Sequence, residues 1–565
     1  MKLADLIARA DKPVDYQSLE FDYQRCSDQD AVTPVRHPVV IVGAGPVGLS
    51  LAVDLAQRGV RVVLLDNDRT LSTGSRAICF AKRTLEIFDR LGCGTRMVDK
   101  GVSWSLGRVF FREEEVYAFN LLPEEGHQRP AFINLQQYYV EGFLAERAAE
   151  LPLIEIRWCN KVTGVEQLAD GALVSIETPD GAYTLRADYV AACDGARSNV
   201  RQLLGEESKG QTFRDRFLIA DVRMKLEQPA ERWFWFDPPF HRNQSVLLHM
   251  QPDGVWRIDF QLGWDADPER EKRPENIIPR VKEMLAHSSL KDAEFELEWA
   301  SVYTFSCVRM AKFRHGRVLF AGDAAHGVSP FGARGANSGV QDAENLAWKL
   351  AAVVQSGAPD ALLDTYASER EYAADENILN STRATDFITP KSEISRLFRD
   401  AVLDLSKTQP FARVLVNSGR LSVPATLHHS TLNTPASGPV RGRMLAGAPA
   451  ADAPVILRDG RPGWLLRELG SQFTLLLADG PDTATLASEL SGAAEGVVSM
   501  TVLVIGKASN QHVDLVDADG LLAHRYDMQP GGAILLRPDQ HLCARWRTPT
   551  SASLRAALQR ATAQN

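Results

Sequence analysis

Gly43, Gly45 and Gly48 stand at G-x-G-x-x-G spacing in HPVVIVGAGPVGLSLAVDLAQRGVRVVLLDND, and a carboxylate, Asp66, follows the last apolar run of that stretch. Residues of these types in this order suit the binding of a dinucleotide. Gly43 permits a tight turn, Gly45 lets backbone N–H groups approach a pyrophosphate, and Gly48 lets a helix lie close to a strand. The helix N-terminus then turns its positive end toward the phosphates. Asp66 is placed to accept from a ribose 2′-OH, which argues against a 2′-phosphate there. NAD and FAD both satisfy this pattern.

A second stretch, AGDAAHGVSPFGARGANSG from Ala321 to Gly339, is built of small residues around the isolated carboxylate Asp323. Small residues let a backbone come close to something large and flat. A third stretch, DYVAACDGARSNVRQLLG, carries Asp194-Gly195 followed by Arg197, Ser198 and Arg201.

The elements that must hold these residues follow from hydrophobic periodicity. Val39 to Val42 is short, apolar and β-branched, as a buried parallel strand requires, and Leu49, Leu51, Ala52 and Leu55 then continue at helical spacing. Arg61 to Leu65 forms the next strand and Val318 to Ala321 a further one. A helix is expected from about Asn337 through Val340, Ala343, Leu346, Ala347 and Leu350.

With these three motifs in this order the chain resembles the group A flavoprotein monooxygenases, the FAD-dependent aromatic hydroxylases, and most closely their phenol hydroxylase and 3-(3-hydroxyphenyl)propionate hydroxylase branch. The resemblance covers roughly residues 36 to 390. It implies an α/β fold: a Rossmann-like FAD-binding domain of the para-hydroxybenzoate hydroxylase type, a β-sheet substrate domain, and a C-terminal thioredoxin-like domain. It further implies FAD as cofactor, NADPH or NADH as a transient cosubstrate, and transfer of an oxygen atom from O2 to a phenolic or otherwise activated aromatic ring through a C4a-hydroperoxyflavin. Asp323 of Gly322-Asp323 would hold the ribityl chain, and Asp194 and Gly195 would lie beside the cofactor. Pro330 would border the place where oxygen reacts. Gln137 and Arg76 match the family's cofactor-side Gln and Arg, and Gly335 and Asn337 would offer backbone groups to the flavin pyrimidine edge. Where the family more often has G-Q-G-x-N-S-G, this chain has Arg334. It either sets a cation near the flavin or an anionic substrate or, the simpler expectation, points to solvent or pairs with an acid.

The substrate domain is expected between the second and third motifs, where FLIADVRMKL, RWFWFD, QSVLLHMQPDG and VWRIDFQLG alternate as strands do. Trp235, His249, Arg257 and Tyr303 are the candidate pocket residues. His249 or Tyr303 would polarise a phenolic hydroxyl and Arg257 would bind a carboxylate, although each is also at home in an ordinary sheet core.

The expected domains are an N-terminal arm at 1–35, a discontinuous FAD domain at 36–216 and 311–390, a substrate sheet at 217–310, a helical connection at 391–435, and the thioredoxin-like domain at 436–565. The seven cysteines form no C-x-x-C pair and no zinc spacing, which leaves no metal site and no dithiol chemistry. Scattered thiols, no apolar signal segment and no long apolar run suggest a cytoplasmic protein without membrane contact. The net charge of −9 gives no footprint for nucleic acid. A homodimer is expected. Two alternatives share the cofactor fold: a flavin-dependent halogenase, against which Pro238 stands where a W-x-W-x-x-I motif would need Ile, and a catalytically silent FAD-binding protein.

Overall fold

The computed structural model describes residues 19–72, 77–225, 228–416, 422–436 and 438–564. Its first sheet has a parallel core. The strand Val35–Val42, whose last four residues are buried, lies between Val62–Leu65 and Gly181–Ala192, and Val318–Phe320 continues the sheet beyond the latter. The register matters more than the order. Val42 pairs with Leu65 and with Ala192, and Ala192 pairs with Phe320, so four strands end level with one another. Gly43, Asp66, Asp194 and Gly322-Asp323 follow those ends and are thereby set along one edge. The carboxyl end of a parallel sheet is where doubly wound folds bind ligands.

The second sheet runs, in spatial order, His326–Gly327, Phe295–Met310, Ser208–Met224, Val255–Leu262, Ser245–Met250, Arg232–Phe236, Leu106–Phe111 and Glu114–Asn120. Two of its strands come from 106–120, far upstream of the 217–310 stretch, and its longest pairing starts at Ser208. Parallel pairing of Leu106–Phe111 with Arg232–Phe236 closes that gap. One face packs Leu218, Ala220, Trp256 and Ile258 under the helix Pro274–Ala286. The opposite face carries Phe217, Phe234, Phe236 and Leu247 toward Phe331 of the third motif's loop.

In the C-terminal sheet Phe473–Ala478 lies between parallel Met500–Gly506 and antiparallel Ala533–Leu536, with Leu542–Trp546 beyond it. The helix Thr483–Ala494 makes the crossover and Ser551–Ala561 follows the last strand. This βαβ then ββα arrangement is the thioredoxin-like core. Of the N-terminal arm, residues 19–34 are described. Phe21 stacks on Trp158 at 4.3 Å, and Asp28 meets His37 at 2.7 Å and Arg157 at 2.8 Å, which fastens this part to the body.

Candidate functional site

Gly43 and Gly48 are glycines for lack of space. A Cβ on Gly43, whose φ is +104°, would lie 2.6 Å from the Cys193 carbonyl oxygen, and one on Gly48 would lie 1.9 Å from the Gly43 oxygen. A Cβ on Gly45 would meet nothing within 4 Å, so the loop's open side is at Gly45. The helix Pro46–Gln57 starts there. Asp66 accepts from the Ala44 N–H at 2.6 Å and the Asp68 N–H at 2.8 Å, bracing the loop, while burial pushes its pKa up.

At the second motif one Asp194 carboxylate oxygen accepts from the Val200 N–H at 3.0 Å, and the other is buried without a partner. Ser198 caps the short helix Asn199–Leu203 by accepting from the Arg201 N–H. Arg201 donates to the carbonyls of Ala324 and Ala196, both at 2.7 Å, and so ties the second motif to the third.

The third motif is held from beneath by a carboxylate that sequence reading passed over. Asp342 accepts from the Gly322 N–H at 2.9 Å and from Arg370 Nε at 2.6 Å, and lies 2.7 Å from His326 Nε2. Burial alone would raise its pKa, but Arg370 and His326 overcome that and keep it below the usual carboxylate range. Asn337 acts through its side chain: Oδ1 accepts from the Ala81 N–H at 2.8 Å, while Nδ2 donates to the carbonyls of Cys79 at 2.9 Å and Ala333 at 2.6 Å. Asp323 and Pro330 are exposed on the loop, and Gly335 begins the helix Gly335–Ser356. Gln137 accepts from the Ala77 N–H at 3.0 Å and donates to Glu141, which in turn accepts from Ser72. Arg76 lies outside the described residues.

Of the simpler expectation for Arg334, the solvent-facing half is not met. The side chain is buried, not turned to solvent, and its guanidinium folds back over Gly332, where a Cβ would lie 2.0 Å from Nη1. Gly332, at φ +112°, leaves the space that the guanidinium occupies.

The pocket candidates divide by sheet face. His249 pairs with Arg257, Arg257 with Asp221 and Tyr303 with Phe217, so His249, Arg257 and Tyr303 share the face turned toward Phe331. Trp235 pairs with Val246 and points the other way, stacking on Phe110 at 5.3 Å and meeting Phe240 at 5.9 Å. The structure therefore does not bring Trp235 together with the others. Arg257 is not an open carboxylate receptor, since Nε and Nη2 each meet Asp221 at 2.8 Å. His249 has its pKa pushed down to about 4, first by burial and then by the nearby Arg232 charge, so its ring is neutral near pH 7. Its Nε2 lies 3.2 Å from Asp259. Arg232 and Asp342 are thus the residues sequence reading missed, and only the cross-strand and inter-helix pairings reveal them.

A glycine-lined loop open at Gly45, a helix start behind it and a buried Asp194 oxygen in need of a donor fit an FAD molecule laid along the levelled strand ends. The chain belongs to the family described as FAD binding domain, which matches residues 36–381. It is similar to the 3-(3-hydroxy-phenyl)propionate/3-hydroxycinnamic acid hydroxylase of Mycolicibacterium smegmatis, at 29% identity over 89% of each chain. It is likewise similar to the 12-dehydrotetracycline 5-monooxygenase/anhydrotetracycline 6-monooxygenase of Streptomyces rimosus, at 30% identity over 90% of this chain and 95% of that one. The crystal structure of the flavin-dependent monooxygenase PieE with FAD and substrate shares the fold, with a TM-score of 0.77 and 22% identity over 94% of this chain and 100% of that one. The chain is a group A FAD-dependent aromatic hydroxylase. The halogenase alternative is not favoured.

Proposed function

We propose that this enzyme uses NADPH or NADH and O2 to hydroxylate a phenolic or otherwise activated aromatic compound. One oxygen atom enters the ring, the other leaves as water, and the nicotinamide nucleotide is oxidised. The observation that carries the reading is the common edge formed by Gly43, Asp66, Asp194 and Gly322-Asp323. When bound, FAD supplies the redox chemistry between the nicotinamide and oxygen.

The chain's residues bind, orient and exclude water. Gly43, Gly45, Gly48 and Asp66 are assigned to the adenosine and pyrophosphate half. Asp194, Gly195, Gly322 and Asp323 are assigned to the central chain of the cofactor, and Gln137, Gly335 and Asn337 to the flavin end. Pro330 borders the reacting face. Phe217, Phe305 and Phe331 meet at centroid separations of 4.7–5.8 Å and make a dry wall, which oxygen transfer requires. Tyr303, half-buried beside them, is the hydroxyl that polarises a phenolic substrate.

The test is NAD(P)H oxidation by the purified yellow protein with a panel of phenols under 18O2. Substrate-stimulated oxidation with label in the product is the expected result. A protein that keeps its FAD but labels no phenol supports the silent alternative instead. A homodimer is the proposed assembly: Ile394, Leu397, Phe398, Phe411 and Val414 are exposed large apolar side chains within residues 393–416, a face a second copy would cover. A monomeric mass in solution would refute that.

A further inference from the structure

Several buried polar atoms without partners gather at one place on the inner face of the second sheet. Arg232, His249, Arg257 and Asp221 are register partners across four neighbouring strands. Asp221 neutralises Arg257, and Asp259 faces the neutral His249 while its charge also acts on Arg232 from beyond ion-pair range. Arg232 is the member without a direct carboxylate contact. It is 4% exposed, its Nε has no hydrogen-bond partner, and among the described residues it makes no ion pair. Its Nη1 reaches the Cys79 sulfur at 3.8 Å, and the rings of Trp104 and Phe234 flank the guanidinium at 5.8 and 5.1 Å. Both ring nitrogens of His249 and the Gln251 Oε1 nearby on the same strand side are also buried without partners.

A guanidinium buried without a carboxylate in contact and with its Nε unbonded is costly, which suits it to receive an arriving anion. The location fits such an arrival. The Cys79 carbonyl accepts from Asn337, which also bonds Ala333, so Arg232 is one residue removed from the loop assigned to the flavin.

We propose that Arg232 recognises a carboxylate on the aromatic substrate, with neutral His249 beside it as a further hydrogen-bonding group, so that the enzyme acts on aromatic acids. The inference rests on the hydroxylase reading and deepens it. A planar guanidinium matches a carboxylate through two parallel hydrogen bonds. A site built for that group rejects a substrate lacking it, because the buried cation is then left unpaired.

Matched pairs test this on the FAD-loaded full chain: 3-(3-hydroxyphenyl)propionate against 3-propylphenol, and 3-hydroxybenzoate against 3-methylphenol. Dissociation constants come from flavin difference absorbance, and turnover from NAD(P)H oxidation. The wild type is expected to prefer the acid of at least one pair by about tenfold or more. Arg232→Met is expected to bring that ratio close to one and Arg232→Lys to retain part of it, with flavin absorbance and the thermal midpoint confirming folded protein. An unchanged ratio in folded Arg232→Met overturns the proposal. So does a wild-type ratio of one or below in both pairs, which decides the matter even if the Met variant fails to fold. Uncharged phenols hydroxylated in preference to acids would leave the hydroxylase reading standing and end this inference alone, whereas a protein that turns over no aromatic ends both.

Discussion

Arg232 and Arg537 are both buried arginines, and the contrast between their surroundings separates a structural charge from one kept for a ligand. Arg537 sits where the C-terminal domain meets the FAD domain. Its Nη1 meets Glu369 at 2.6 Å, and its Nε and Nη2 meet Asp539 at 3.0 and 2.5 Å. Lys349 completes the group, 2.8 Å from Glu369 and 2.9 Å from the Asn345 oxygen. Burial alone would raise the Glu369 pKa, but Arg537 and Lys349 hold it far below the usual carboxylate range. Every charge there faces an opposite one. On the substrate sheet, burial instead lowers the pKa of Arg232, and among the described residues no carboxylate comes within ion-pair range, Asp259 acting on it only from farther away. The same residue type is saturated in one region and unsatisfied in the other.

The largest expected effect lies in the saturated region. Arg537→Met leaves Glu369 and Asp539 buried with Lys349 and Arg83 as the remaining nearby cations, and should cost about 3–5 kcal/mol of stability, read from the denaturant midpoint. Replacing Arg537, Glu369 and Asp539 together by apolar residues of similar volume should restore much of it, because no buried charge is then stranded. A mild single variant would show that these ion pairs are not what joins the domains.

Acid probes the unsatisfied region next. The His249 pKa is pushed down to about 4 from an ordinary value of 6.5. The contribution is fully present above pH 6.5. As pH falls from there toward 4, the unfolded chain takes up a proton that the native ring refuses, and stability drops by about 3 kcal/mol. His249→Gln should flatten that part of the stability profile. An unaltered slope between pH 6.5 and 4 would mean that the ring takes up its proton as readily in the fold as in the unfolded chain.

How much of this was legible in the sequence depends on the range of the pairing involved. The first motif was legible because its strand, turn, helix and acid are contiguous, and the level strand ends only set side by side what each motif already announced. Asp342 was not, because its partners Gly322, His326 and Arg370 come together only when two helices pack. The Trp235 expectation failed for a related reason. Alternation along one strand is readable, but which face it shares with His249 depends on the cross-strand register, here Trp235 opposite Val246. Recruitment of 106–120 into the same sheet is a long-range parallel pairing with no local signal. Arg232 lay in plain view in RWFWFD, but its lack of a carboxylate in contact is a property of the folded neighbourhood.

Asn337 connects the two regions and should show an intermediate effect. It joins the strand of Cys79 and Ala81 to the start of the helix that carries Lys349 further along. Asn337→Ala strands the buried Ala81 N–H and removes two donated bonds, for a loss of about 1–3 kcal/mol. If the helix start holds the flavin end as proposed, FAD should also dissociate more readily on dilution, whereas Asn337→Asp keeps the acceptor and should retain part of the bond to Ala81. Lost stability with unchanged FAD retention would restrict Asn337 to a structural role.

The smallest expected effect on stability is at Arg232, and it is the most discriminating. A buried guanidinium already without an ion pair has little to lose on replacement, and removing its desolvation can compensate for lost packing. Arg232→Met should therefore change stability by no more than about 1 kcal/mol, in contrast to the same substitution at Arg537. Without the neighbouring positive charge the His249 pKa should rise from about 4, which NMR titration of the ring can follow. A loss as large as that expected for Arg537→Met would show that Arg232 is held by the fold and not kept for a ligand, and the distinction between the two regions would collapse.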